Sequence, residues 1–388
     1  MNDLNNSRVS RRRFAGGMAA IVGYLGLNPA GALLAQATDP RAMSGGRVSA
    51  SEYDELVKLC FNENPFGPPE SVMSAMTGAL KYANRYGYPD GDIVEAIAAH
   101  HKVGVDNVLI GAGSSEILDI VGNTFLSPGK KVIGVEPTFS AVYEHATGLK
   151  ADAIRLPLRA DFQQDIPAII KAANEDPAQI GFVYLCNPNN PTGAIVPKDD
   201  VKQLLDGLPA GIPVLIDEAY HHFVESRDYG TSVPYVLEGR PVVVTRTFSK
   251  IAAMAGMRLG YAIAPSHIMR HMAPYIDNLS VSALAKWGGV ASLRDTAGRD
   301  RVRTDIIQIR KKTTTALEAM GYPVIPSEAN FFMVNLHRPV RPVIQAFRHE
   351  KILVGRPFPP MLEHLRVTVG TADEMERFMA AFKTIMKA

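Results

Sequence analysis

The chain has 388 residues, 46% of them hydrophobic and 21% charged, with a mean hydropathy near zero. That suffices for a large core in one unit of two closely joined subdomains. A formal net charge of +2 leaves no basic field for nucleic acid or an anionic membrane, and Cys60 and Cys186 are too few for a disulfide scaffold and lack metal-ligand spacing.

At the start of the chain, Ser10-Arg11-Arg12-Arg13-Phe14 leads into an apolar run from Met18 to Leu34, and Ala35-Gln36-Ala37 offers a small-residue cleavage site. Residues 1–37 are therefore expected to be a twin-arginine signal peptide, read by the twin-arginine export machinery. Gly16, Gly17, Gly23, Gly26, Asn28, Pro29 and Gly31 weaken the run as a bilayer span. A removed signal is expected over a retained anchor, with no stable membrane insertion and a periplasmic or otherwise exported protein. Its removal takes the basic residues from 41 to 37 and the acidic residues from 39 to 38, leaving a nearly neutral chain.

Residues 38–75 read as a linker and an extended N-terminal segment, because Pro65, Pro68 and Pro69 prevent a helix over Leu59–Pro69. The short apolar runs Val108–Ile110, Lys131–Val135, Gly181–Cys186, Pro213–Ile216 and Pro241–Thr245 alternate with helical patterns. This predicts an α/β fold whose large domain, residues 76–270, is a mostly parallel sheet with helices on both faces. From about residue 270 a helix-rich stretch gives way to the runs Asn330–Val334 and Leu365–Val369 and an amphipathic C-terminal helix. Residues 271–388 read as a smaller α/β domain, against which the Leu59–Pro69 segment is expected to pack.

Ligands of such sheets sit beyond the carboxyl ends of the strands, and the chain places its chemistry there. Gly111-Ala112-Gly113-Ser114-Ser115-Glu116 links the strand Val108–Ile110 to a predicted helix Ser115–Phe125, so backbone N–H groups and the helix dipole converge on an anion. Glu116 stands where a dinucleotide fold needs its third glycine, which counts against a dehydrogenase. The apolar run ending at Cys186 enters Asn187-Pro188-Asn189-Asn190-Pro191-Thr192-Gly193, whose prolines pin the backbone while the asparagine amides face the strand ends. Cys186 thus ends a core strand, and two buried free thiols are expected over a bridge.

Asp217 closes the next buried run, where an ionised carboxylate needs a cation such as a protonated pyridine nitrogen. Thr247-Phe248-Ser249-Lys250 closes the following one. Near Arg258 and a phosphate loop, the Lys250 amine loses its proton more easily and becomes a nucleophile toward an aldehyde. His221 and His222 lack the helical spacing of metal ligands, and no metal is expected.

Asn-Pro-Asn-Asn-Pro-Thr-Gly, Asp-Glu-Ala-Tyr, Thr-Phe-Ser-Lys with arginine eight residues after the lysine, and Leu-Arg-Val-Thr-Val-Gly-Thr, in that order, resemble the class I/II aminotransferases. Phe-Asn-Glu-Asn-Pro-Phe-Gly-Pro and Asn-Arg-Tyr bring the resemblance nearest to the histidinol-phosphate aminotransferase branch, over roughly residues 55–388. The resemblance implies a fold type I homodimer using pyridoxal 5′-phosphate (PLP) to move an amino group between an amino acid and a 2-oxo acid. Lys250 would hold the cofactor as a Schiff base and shuttle the proton, with Asp217 on the pyridine nitrogen. Asn190 and Tyr220 would meet the ring hydroxyl oxygen, and Phe139 would stack on the ring. Gly113, Ser114, Ser115, Thr247, Ser249 and Arg258 would bind the phosphate. Tyr86, or Tyr88 two residues on, would reach the cofactor of the neighbouring subunit.

Arg366 would clamp the substrate carboxylate, the alternative being a rim arginine paired with Glu363 or Asp373. Asn64, Phe66 and Arg356 complete the expected substrate contacts. The chain departs from the branch where an arginine for a substrate phosphate is expected, having Gly355 there and Arg356 one residue late. Phe66 and Phe139 stand where tyrosines would suit a phosphate. The amino donor is therefore expected to be aromatic or otherwise apolar. Histidinol-phosphate transamination, and racemase, decarboxylase or lyase chemistry on the same cofactor, are the alternatives.

Overall fold

In the computed structural model, which describes residues 49–277 and 279–387, the Val- and Ile-rich runs form strands. In chain order these are β1 (Val57–Leu59), β2 (Val108–Gly111), β3 (Lys131–Glu136), β4 (Asp152–Pro157), β5 (Ile180–Cys186) and β6 (Val214–Asp217). They continue with β7 (Val242–Thr247), β8 (Gly260–Ile263), β9 (Val324–Ile325), β10 (Phe331–Asn335), β11 (Ile352–Val354) and β12 (His364–Thr368). The expected signal peptide, residues 1–37, lies outside the described residues. Among those described, no helix is long and apolar enough to cross a membrane.

Seven strands make one sheet in the order β2-β8-β7-β6-β5-β3-β4. Only β8 runs against its neighbours β2 and β7, and the other pairings are parallel. Strands β5, β6 and β7 are buried at every residue, which is why they read as unbroken apolar runs. Alternate residues feed two cores: Val183, Ile216 and Val244 face one layer of helices, and Phe182, Leu215 and Val243 the other. This is the fold type I α/β architecture. Because β2, β5, β6 and β7 are mutually parallel, their last residues, Gly111, Cys186, Asp217 and Thr247, all lie at the carboxyl edge of the sheet.

A second core gathers Phe331, Phe347, Phe378 and Phe382 around the antiparallel sheet β12-β10-β9 and the helices Thr296–Ala319, Val340–His349 and Ala372–Lys387. Strand β1 pairs in parallel with β11, and the chain then runs without a helix to Pro69, where the helix Glu70–Ala79 begins. One stretch departs from expectation. The sequence groups residues 271–294 with the C-terminal domain, but Ala285, Val290 and Leu293 of the helix Ala283–Arg294 belong to the core of the large sheet. Gly288 and Gly289 allow this, since a Cβ at 288 would meet Met76 Cγ at 2.8 Å and one at 289 would meet Leu259 Cδ2 at 2.5 Å.

Candidate active site

A cleft opens at the carboxyl edge of the sheet, where ligands of such α/β sheets sit. Lys250, three residues beyond β7, and Asp217, the last residue of β6, both line it. Asp217 is 3% exposed and accepts a hydrogen bond from the Ala219 amide at 3.1 Å. Burial pushes its carboxyl up to about 6, against the pull of that amide and of Lys250. Burial also brings the Lys250 amine down to about 8, and the Arg366 and Arg258 cations push the same way. The loss of amine basicity anticipated from Arg258 thus has desolvation as its main cause. Lys250 Nζ donates to the Phe61 carbonyl at 3.0 Å, a partner the sequence did not suggest.

At one end of the cleft lies the anion cradle. Ser114 opens the helix Ser114–Phe125, one residue earlier than expected, and Ser114 and Ser115 line the cleft with its first turn of amides. Gly113 caps the helix at φ +81°, and any Cβ there would overlap the Arg258 guanidinium, so glycine is what allows this cation to close on the loop. Arg258 is held by the carbonyls of Ala255 at 3.1 Å and Ala112 at 3.4 Å and reaches Ser249 Oγ at 3.5 Å. Thr247 Oγ1 lies 2.8 Å from Ser249 Oγ, and both residues also line the cleft.

Phe139 lines the cleft, as do Asn190 and Tyr220. Of the three asparagines in the 187–193 loop, only Asn190 is directed there. Asn187 bonds both ways to Val196, and Asn189 accepts from Thr138 Oγ1 at 2.7 Å and donates to the Pro137 carbonyl, stitching the loop to the end of β3. Asn190 Nδ2 donates to Tyr220 Oη at 3.4 Å, and its Oδ1 accepts from Arg366 Nη1 at 2.7 Å.

Arg366 on β12 is 6% exposed, bonded to Asn190 and to the Cys60 carbonyl, and packed 4.7 Å from the Phe358 ring centre. It is not a rim arginine paired with Glu363 or Asp373. Its buried Nε has no partner, so the guanidinium keeps a donor in reserve. Arg366 joins the cleft lining through its bond to Asn190, and none of the other expected substrate contacts belongs to that lining. Asn64 donates to the Ile251 carbonyl and accepts from the Phe66 amide, Phe66 is 42% exposed, and Arg356 lies 4.4 Å from the centre of the Phe358 ring that Arg366 also contacts.

Tyr86 and Tyr88 are both exposed on the single chain, at 88% and 76%. Cys60 and Cys186 are buried free thiols, and burial pushes the Cys60 thiol up to about 12. Sequence reading missed Phe61, Glu63 and Cys186 in the lining, and Asn62, which donates to Tyr220 Oη at 3.0 Å. The recoverable signal was the Phe-Asn-Glu-Asn segment, whose first half, and not Asn64 or Phe66, faces the site.

The family model described as aminotransferase class I and II matches residues 54–382. The chain is 34% identical over 338 residues to a histidinol-phosphate aminotransferase of Moorella thermoacetica, covering 86% of each chain. It is 34% identical over 337 residues to one of Symbiobacterium thermophilum, covering 86% of this chain and 91% of the relative. A solved histidinol-phosphate aminotransferase of Sinorhizobium meliloti, in complex with pyridoxal 5′-phosphate, superposes with a TM-score of 0.82 at 23% identity, over 90% of this chain and 95% of that one, and so speaks for the fold. With 329 consecutive residues matched, from 54 to 382, the chain belongs to the aminotransferase class I and II family and is a PLP-dependent transaminase of fold type I.

Proposed function

We propose that Lys250 is the cofactor lysine and proton carrier of an exported aminotransferase whose amino donor is an aromatic or otherwise apolar amino acid and whose acceptor is a 2-oxo acid. The observation that carries this reading is the placement of an amine and a buried carboxylate on one cleft, with an anion cradle at its end. Those residues fit pyridoxal 5′-phosphate. Ser114, Ser115, Thr247, Ser249 and Arg258 would hold its phosphate on the cradle whose Gly113 admits no side chain. Asp217 would hold a proton on the ring nitrogen, and Phe139 would cover a ring face.

Bound there, the cofactor supplies a carbonyl carbon for the amino group and a ring that accepts the electron pair released at the substrate Cα. Lys250 Nζ, with basicity reduced by burial, takes the proton from Cα and returns it on the other side of the transfer. Arg366 and Asn190 orient the substrate carboxylate and so fix which Cα bond faces the lysine. Phe358 and Phe331, both against Arg366, and Phe139 and Phe61 in the cleft keep water away and favour an apolar side chain.

A homodimer and a twin-arginine signal over residues 1–37 belong to the same reading. Tyr86 and Tyr88, exposed on one chain, would be covered by the second subunit, with one of them at its cofactor. The division into a large domain over 76–270 and a small one over 271–388 is retained with its boundary moved beyond residue 294. The names of the relatives favour a second reading, histidinol-phosphate transamination. Purified enzyme assayed with a panel of amino donors, histidinol phosphate included, and 2-oxo acid acceptors separates the two. An apolar amino acid turned over with one 2-oxo acid formed per amine transferred supports the first. Far faster turnover of histidinol phosphate overturns it, as does release of carbon dioxide, ammonia or a mirror-image amino acid. Replacing Arg12 and Arg13 with lysine should keep the full-length precursor in the cytoplasm, and unchanged export would remove the signal assignment.

A further inference from the structure

We propose that Asn62 and Thr368 are positioning residues that fix Tyr220 as a one-way hydrogen donor into the cofactor cleft. The direction follows from groups whose roles admit no choice. A guanidinium only donates, so Arg366 Nη1, 2.7 Å from Asn190 Oδ1, forces Asn190 to turn its Nδ2 toward Tyr220 Oη at 3.4 Å. On the other side, the Asn62 backbone N–H donates to Thr368 Oγ1 at 2.9 Å, which leaves the threonine proton for Asn62 Oδ1 at 3.1 Å. That assignment turns Asn62 Nδ2 toward the same phenolic oxygen at 3.0 Å.

Two amides thus donate to Tyr220 Oη. A phenol has room for both, and its own proton is then free for one acceptor only. Tyr220 lines the cleft, so that acceptor is sought there. Burial pushes the Tyr220 phenol well above its ordinary range, which keeps the proton in place throughout the working pH. The arrangement is rigidly held. Asn62 is 1% exposed with φ +55°, a conformation asparagine tolerates, and its carbonyl accepts from Asn330 Nδ2 at 3.0 Å. Thr368 ends β12, two residues after Arg366, so one strand sets both amides that orient Tyr220.

This rests on the reading that Tyr220 meets the ring hydroxyl oxygen of the cofactor. A donor on that oxygen competes for the electrons that hold the neighbouring proton of the chromophore. Without the donor, the visible absorption band keeps its protonated form to higher pH. The test is a pH titration of that band in holoenzyme carrying Tyr220→Phe, Asn62→Asp, Thr368→Val or the first two together. Aspartate keeps the backbone conformation but only accepts, so it draws the Tyr220 proton out of the cleft.

Y220F and N62D should each raise the titration midpoint by about one to two pH units, the size of a hydrogen bond to a charged oxygen. The double variant should rise no further than Y220F. T368V, which frees the Asn62 amide to rotate without adding charge, should shift the midpoint in the same direction by less, and it carries the test should N62D fail to retain the cofactor. A Y220F shift with N62D and T368V at the wild-type midpoint overturns the proposal alone, as does additivity in the double variant. An unmoved Y220F midpoint overturns the underlying reading of Tyr220, and the proposal with it.

Discussion

Gly355 lies directly against Arg366: its amide donates to the Arg366 carbonyl at 2.9 Å, and a Cβ built on it would meet that oxygen at 2.7 Å and the Arg366 Cβ at 3.0 Å. The glycine is therefore a space requirement of the carboxylate clamp. Gly355→Ala should displace Arg366 and raise KM for the amino acid about tenfold or more, a loss of roughly 1.4 kcal/mol in carboxylate binding. The cofactor affinity should stay within about twofold of wild type, measured by PLP titration of the apoenzyme. Gly355→Arg should be worse than alanine for every substrate, because it evicts one guanidinium in adding another. Steady-state kinetics on both variants decides this, and an arginine variant that gains activity on a phosphate substrate would contradict it.

Asp217 titrates near 6 because it is buried, so its charge is present above that pH and disappears below it. Binding of PLP to the apoenzyme should accordingly weaken as pH falls through about 6. The cofactor phosphate has its own second ionisation near pH 6. Asp217→Asn separates the two contributions, since only the phosphate component remains in the variant. Turnover of D217N should fall by about 10²–10³, the size expected when a preorganised charge at a reacting system is removed. Fluorescence titration of apoenzyme with PLP across pH 5–8 gives the first result. A variant whose affinity profile matches wild type would exclude Asp217 as the ring partner.

The amine of Lys250 sits near 8 in place of the usual 10.5. At pH 7 about a tenth of it is unprotonated, roughly 300-fold more than for an ordinary lysine. Only the unprotonated amine attacks an aldehyde. The rate at which apoenzyme captures PLP should therefore rise with pH and level off above about 8, followed by growth of the visible band in stopped flow. A rate still climbing tenfold per unit at pH 9 would show an unperturbed lysine. Lys250→Ala should lack both the covalent band and turnover.

What sequence could show depended on where each residue's role originates. Lys250, Asp217 and Ser114 each follow an apolar strand, and each has a chemistry that its side chain alone declares, so both their place at the sheet edge and their type were legible. Asn62 and Thr368 were not, because they act through a side-chain pairing across 306 positions and a left-handed backbone. Phe61 contributes a carbonyl, which any residue has. Asn64 and Phe66 lie in a recognisable motif but face Ile251 and solvent. The helix Ala283–Arg294 was misplaced because glycines and alanines leave it no polar face to orient it. The antiparallel direction of β8 is likewise set by its return from Arg258, and composition carries no sign of it.

Directly behind Asp217 the chain buries an ion pair that the chemistry above does not use. Arg246 donates to Glu218 Oε2 through Nε at 3.1 Å and Nη2 at 2.6 Å, with both residues under 5% exposed. Glu218 also accepts from the Ser232 amide at 2.7 Å and from the Thr231 hydroxyl. The pair joins the ends of β6 and β7, one residue beyond Asp217 and one before Thr247. Arg246→Met leaves an unpaired buried carboxylate and should cost about 3–5 kcal/mol, whereas replacing both partners by neutral residues should cost far less. The double variant Glu218→Gln with R246M should therefore recover more than half of the lost thermal stability. R246M should also bind PLP more weakly than the double variant, because an uncompensated Glu218 adds negative charge beside Asp217 and loosens the strand ends that carry the cradle. Melting temperatures and PLP titrations of the three proteins provide the check. Additive losses in the double variant would mean that the pair does not act as a unit.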